Sequence, residues 1–92
     1  MSAPALTKML TIKNRLGLHA RAAAQLVQTA SKFPAEISVT KDGQTVSARS
    51  ILGLMMLAAG IGSSIEVSID GEQASEAMAA IEELIEAKFN EE

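Results

Sequence analysis

Cysteine, tryptophan and tyrosine are all missing from the chain, and phenylalanine occurs only twice. Without cysteine there is neither a disulfide framework nor a thiolate metal site, a composition that fits a reducing, cytoplasmic setting. Without aromatic stacking platforms, and with a formal net charge of −3, the chain lacks the broad positive field of a nucleic-acid binder. A single histidine, with no carboxylate dyad beside it, argues against metal ligation and against acid–base hydrolysis, so no metal or cofactor is expected. Long apolar runs are lacking as well. ILGLMMLAAGI at 51–61 falls short of the ~20 residues a membrane helix needs, and no basic leader with a cleavage site precedes it. The reading is a soluble chain whose residues 1–92 form one small domain, without room for a large enclosed pocket.

What is present is divided unevenly. Residues 1–50 carry 7 Lys/Arg against 2 Asp/Glu, and residues 51–92 carry 1 against 9. An acidic, solvated C-terminal helix explains most of the second imbalance, while the basic first half suits a phosphate or an acidic partner.

After a loose N-terminus at 1–5, residues 6–13 alternate as a half-buried strand, with Leu6, Leu10 and Ile12 inward and Lys8 as an exception on that side. Ala23, Leu26, Val27 and Ala30 recur at helical spacing, predicting an amphipathic helix over 20–32 that ends before Pro34. AEISVTK and QTVSA flank Asp42-Gly43, the residue pair of a tight hairpin. A short helix follows over 51–58, stopped by Gly60 and Gly62, then a strand over 64–70 and a long helix over 73–89 with Phe89 closing its apolar stripe. The order β-α-β-β-α-β-α, with every strand alternating, predicts an α+β open-faced two-layer sandwich: a four-stranded antiparallel sheet with three helices on one face.

His19 falls at the start of the helix over 20–32. Backbone N–H groups there have no helical partner and the helix dipole adds partial positive charge, so an anion is stabilised and imidazolium is disfavoured. A neutral imidazole keeps one ring nitrogen free to attack phosphorus. Arg21 supplies a guanidinium for phosphate oxygens, Ala20 lies in the first helical turn, and Gly17 permits a tight turn and close approach of a partner. Position alone favours an ordinary capping or surface histidine; the combination with Gly17, Arg21, the helix N-terminus and an apolar patch favours a nucleophile. The helix over 51–58 is apolar all round: Leu54, Leu57, Ala58 and Ile61 share one face, and Ile51, Leu52, Met55 and Met56 the other. A two-layer domain cannot bury both, so the second group is expected to form an exposed protein-binding patch. Ser50 sits where an N-cap belongs, with Gly53 where a capping-box glutamate would stand.

Taken together, GLHARAAAQLV, the DG hairpin and ARSILGLMMLAA resemble the histidine-containing phosphocarrier (HPr) family of the phosphoenolpyruvate-dependent phosphotransferase system. The resemblance spans residues 6–89 and implies the same sandwich. It implies that His19 is the phosphorylated residue and Arg21 its phosphate-stabilising partner, that Gly17, Ala20 and Arg21 bind the phosphoryl group, and that Ser50 is a regulatory serine for an HPr serine kinase/phosphorylase. It further implies that Ile51, Leu52, Met55 and Met56 dock enzyme I and enzyme IIA domains, and that the chain is a monomeric, stoichiometric carrier rather than an enzyme. One position departs from the family pattern: Ala22 stands where the motif has proline. Proline is tolerated in a first helical turn, so alanine preserves the helix and bears on efficiency and partner choice more than on chemistry. The alternative reading is a regulatory binding module whose apolar patch docks a target under the control of Ser50 phosphorylation.

Overall fold

The computed structural model describes residues 5–91; apart from Ala5, the N-terminal segment read as loose lies outside the described residues. Strand β1 (Leu6–Thr11) leads to helix α1 (Ala20–Ala30), and strands β2 (Ala35–Lys41) and β3 (Gln44–Ser47) follow. Helix α2 (Ile51–Met56), strand β4 (Ser64–Gly71) and helix α3 (Ala74–Glu86) complete the expected order. The four strands form one antiparallel sheet in the order β1-β4-β2-β3.

Alternation decides which face is dry. Ile37 and Val39 of β2 and Ile65, Val67 and Ile69 of β4 are buried against Ala23 and Leu26 of α1 and Ala77, Ile81 and Ile85 of α3, in one core. The other face carries short hydroxyls. Thr7, Ser68, Ser38 and Ser47 lie in one cross-strand row, and Thr40 and Thr45 share a hydrogen bond of 2.7 Å. Asp42 and Gly43 take positive φ, 51° and 80°, as the two-residue hairpin demands.

β1 is shorter and drier only at its end than its pattern predicts. It is an edge strand, so Leu6 stays exposed while Ile12, just past the strand, is buried. Lys8, the exception on the inward side, reaches past the core to Glu82 of α3 at 2.9 Å, and Lys13 pairs with Glu86 at 2.6 Å. These exposed pairs contribute under about 1 kcal/mol each, yet they bring part of the acidic face of α3 against basic β1.

All three helices end earlier than the apolar stripes predict. α1 stops at Ala30, where the Arg49 guanidinium donates to the carbonyls of Ala30, Phe33 and Ala35 and pins the path into β2. α2 ends at Met56 because Ala58 turns into the left-handed region, φ 52°; the glycines at 60 and 62 lie beyond the stop rather than making it. Ala58 and Ile61 are exposed, so they do not share the buried face of Leu54 and Leu57. α3 gives way after Glu86 to a turn in which Lys88, Phe89 and Asn90 all have φ between 52° and 58°. Left-handed non-glycine residues cost on the order of 1–2 kcal/mol each. Burial of the Phe89 ring, 2% exposed, offsets about 1.5–3 kcal/mol of this.

Candidate functional site

The loop before α1 is bound to the loop after α2. Gly17 has φ 67°, and a Cβ added there would lie 2.4 Å from the Ala59 carbonyl oxygen, so no other residue fits. The Leu18 N–H then donates to that same oxygen at 2.9 Å. The glycine read as a turn and docking residue is therefore buried, and it permits close approach of the chain's own backbone.

His19 is the N-cap of α1, with extended backbone, and no side chain caps the helix. The first helical bond runs from the Ala23 N–H to the His19 carbonyl at 2.8 Å. The N–H groups of Ala20, Arg21 and Ala22 precede it and have no helical acceptor. No acidic residue occupies the first turn, so the positive end of the dipole is unopposed by charge on its own helix. The imidazole is half-buried, with Nδ1 2.9 Å from the Gly17 carbonyl oxygen.

Two shallow hollows meet at His19. Leu16, Arg21, Phe89 and Glu91 share the first with it, and Leu16, Leu18 and the backbone turn Ala58–Gly60 share the second. Arg21 is exposed and forms no ion pair among the described residues. Ala20 is exposed in the first helical turn, whereas Ala22 is fully buried in the core. A larger hollow, of about 410 Å³, lies between the far end of α1 and α3 and includes none of these residues. Among the described residues, no group of three or more His, Asp or Glu is gathered that would hold a metal ion.

The second hollow connects the histidine to the C-terminal end of α2. Ile51, Leu52, Met55 and Met56 are exposed as expected, Leu52 by 69%. Leu16 and Ile61, each about 60% exposed, belong to flanking loops, where no periodicity marks them as surface residues. Ser50 caps α2: its Oγ accepts from the Gly53 N–H at 2.9 Å. Ser50 thus marks the N-terminal end of α2, while the hollow beside His19 is lined by the turn that follows its C-terminal end.

Two residues with no sequence signal complete the site. Asn14, 1% exposed, donates through Nδ2 to the Gly17 carbonyl and to the Glu91 carboxylate, each at 2.8 Å. Glu91 also accepts from the Leu16 N–H at 3.3 Å. The Asn14 amide, more than any other neighbour, holds the Glu91 carboxyl below the usual carboxylate range. Nothing in the periodicity of α3 indicates that the chain doubles back after it.

A family model described as the PTS HPr component phosphorylation site matches residues 6–87. The phosphocarrier protein HPr of Xylella fastidiosa is 54% identical over 82 residues, 89% of this chain and 92% of that protein. HPr of Neisseria meningitidis is 49% identical over 86 residues, covering 94% and 97%. Among solved structures, HPr-C-His from Thermoanaerobacter tengcongensis superposes with a TM-score of 0.90 at 47% identity, covering 95% of this chain and 98% of that one.

Proposed function

The chain belongs to the HPr family of phosphocarrier proteins, and on that premise we propose that His19 takes a phosphoryl group from phosphorylated enzyme I and passes it to an enzyme IIA domain. The observation that carries this reading is the uncapped N-terminus of α1, with His19 at the cap position and Arg21 exposed beside it. The lone pair of the unprotonated ring nitrogen forms the N–P bond, while the bond from phosphorus to the donor breaks and its electron pair leaves with the donor. The ring keeps its other N–H, so the phosphorylated imidazole is cationic and departs readily when the acceptor attacks in turn. First-turn N–H groups near Ala20 and the Arg21 guanidinium stabilise the phosphoryl oxygens through transfer. The apolar surface of Ile51, Leu52, Met55 and Met56 serves as the docking face beside the histidine, feeding sugar uptake or a regulatory relay.

The test mixes the chain with enzyme I and phosphoenolpyruvate and follows label into an acid-labile, base-stable adduct. His19→Ala is expected to abolish labelling, and equal labelling of this variant sinks the proposal. A second role, in regulation, is supported by Ser50 at the edge of the apolar surface. Its phosphorylation would add about −2 charge there and repel an acidic partner. Target binding unchanged in Ser50→Asp counts against it.

A further inference from the structure

A two-electron oxidant finds few targets in this chain. Cysteine, tryptophan and tyrosine are missing, and the only sulfur is in five methionines. Four of these lie among the described residues, and burial divides them. Met78 of α3 is 4% exposed and packed in the core, whereas Met9, on the outer face of the sheet opposite Glu66, is 60% exposed. Met55 and Met56 close α2, 40% and 62% exposed. Leu52, also exposed, stands three and four positions before them, one helical turn away on the same surface. Neither methionine holds the fold: Leu54, with Leu57 just past the helix end, makes the core contact, and the cap joins Ser50 to Gly53. Neither lines the two hollows at His19. Chemistry at these two sulfurs therefore alters the exposed surface and leaves the core and the nucleophile as they are.

We propose that Met55 and Met56 are a reversible oxidation site through which peroxide weakens docking to the exposed face of α2. The proposal rests on the reading of that face as the docking surface. At each methionine a sulfur lone pair attacks one peroxide oxygen, and the S–O bond forms as the O–O bond breaks. Sulfur gives up two electrons and the peroxide is reduced. With hydrogen peroxide, the proton of the transferred oxygen moves to the departing hydroxide, which leaves as water. The sulfoxide is polar where the thioether was apolar and pliable. A partner that covers it must strip water from a strong acceptor without supplying a donor, so an attractive contact becomes a costly one. Reductases of the methionine sulfoxide class reverse the change.

The experiment treats the full chain with hydrogen peroxide, stops while Met78 is still a thioether, and locates each sulfoxide by peptide mass mapping. Met56 and Met9 are expected to oxidise first and Met55 next. Transfer from phosphorylated enzyme I is then followed at varied concentrations of the chain. Oxidation is expected to raise KM for the chain about tenfold and to leave kcat within about twofold, because docking and not the reacting group has changed. Treated Met9→Leu is expected to show the same rise. Met55→Leu/Met56→Leu, a volume-conserving pair of swaps, is expected to show none relative to its own untreated form, and sulfoxide reductase is expected to restore the KM of the oxidised parent. Untreated Leu52→Asp tests the docking reading by itself and is expected to raise KM. Sulfoxide at positions 55 and 56 with KM unchanged, while Leu52→Asp raises it, overturns the inference and leaves the docking reading standing. An equal rise in the treated double variant also overturns it, by assigning the effect to another group, as does oxidation of Met78 ahead of Met55 and Met56. A parent that accepts no phosphoryl group, or a KM unchanged in both the oxidised parent and Leu52→Asp, removes the underlying reading and the inference with it.

Discussion

Helices α1 and α2 both begin at a polar residue with extended backbone, and there the likeness ends. At α2 the Ser50 hydroxyl turns back and accepts from the Gly53 N–H. At α1 the His19 ring turns away to the Gly17 carbonyl, and the helix start is left without a side-chain acceptor. One terminus satisfies a first-turn donor with its own cap; the other leaves its first-turn donors without a side-chain partner. The forgone cap is worth about 1 kcal/mol of stability, and an anion arriving at α1 collects what the fold left unspent. The approach to the open terminus is fixed by the Gly17–Ala59 contact.

That contrast is most strongly broken at Gly17. Gly17→Ala forces a Cβ against the Ala59 carbonyl in a left-handed conformation, and chemical denaturation should show a loss of about 3 kcal/mol or more, with phosphoryl acceptance lost as well. Retention of parent stability would mean the two loops are not held together as described. A reciprocal pair of substitutions sharpens the comparison at an intermediate size. His19→Ser closes α1 with a true cap and should raise stability by up to about 1 kcal/mol while ending phosphoryl transfer; Ser50→Ala should lower it by about the same amount and leave transfer to His19 intact. Thermal melts combined with the labelling assay read both properties at once. Smallest is Ala22→Pro. The Ala22 N–H lies in the first turn and makes no helical bond, so restoring the family's proline should change stability by no more than about 0.5–1 kcal/mol, checked by the same melts, with the acceptance rate at or slightly above the parent's.

The parts of this molecule written in local pattern are legible in the amino-acid sequence. Period-two alternation in β2 and β4, Asp42-Gly43 and the Ser50 cap all depend on neighbours along the chain, and each lies where its pattern implies. The surface character of Ile51, Leu52, Met55 and Met56 follows from counting faces: a short helix apolar all round has one face too many for a two-layer fold. What stays hidden depends on contacts between distant segments. Lys8 looks misplaced until Glu82 is brought opposite it. The helix stripe correctly marks Phe89 as core, but a left-handed turn delivers it there, which periodicity cannot express. Asn14 and Glu91 meet because one loop and the chain's last described residues converge, and no spacing rule links them.

The strand order has a consequence in time. β4, which pairs with both β1 and β2, is the last strand to leave the ribosome. The register Leu6↔Ile69 joins residues far apart in the chain, so loop-closure entropy must be met before most of the sheet can form. Until then only the β2–β3 hairpin has its partner, and Leu18 has no Ala59 carbonyl to hold it. A nascent chain that already displays His19 is therefore not yet a carrier: competence arrives late and together, when the sheet closes.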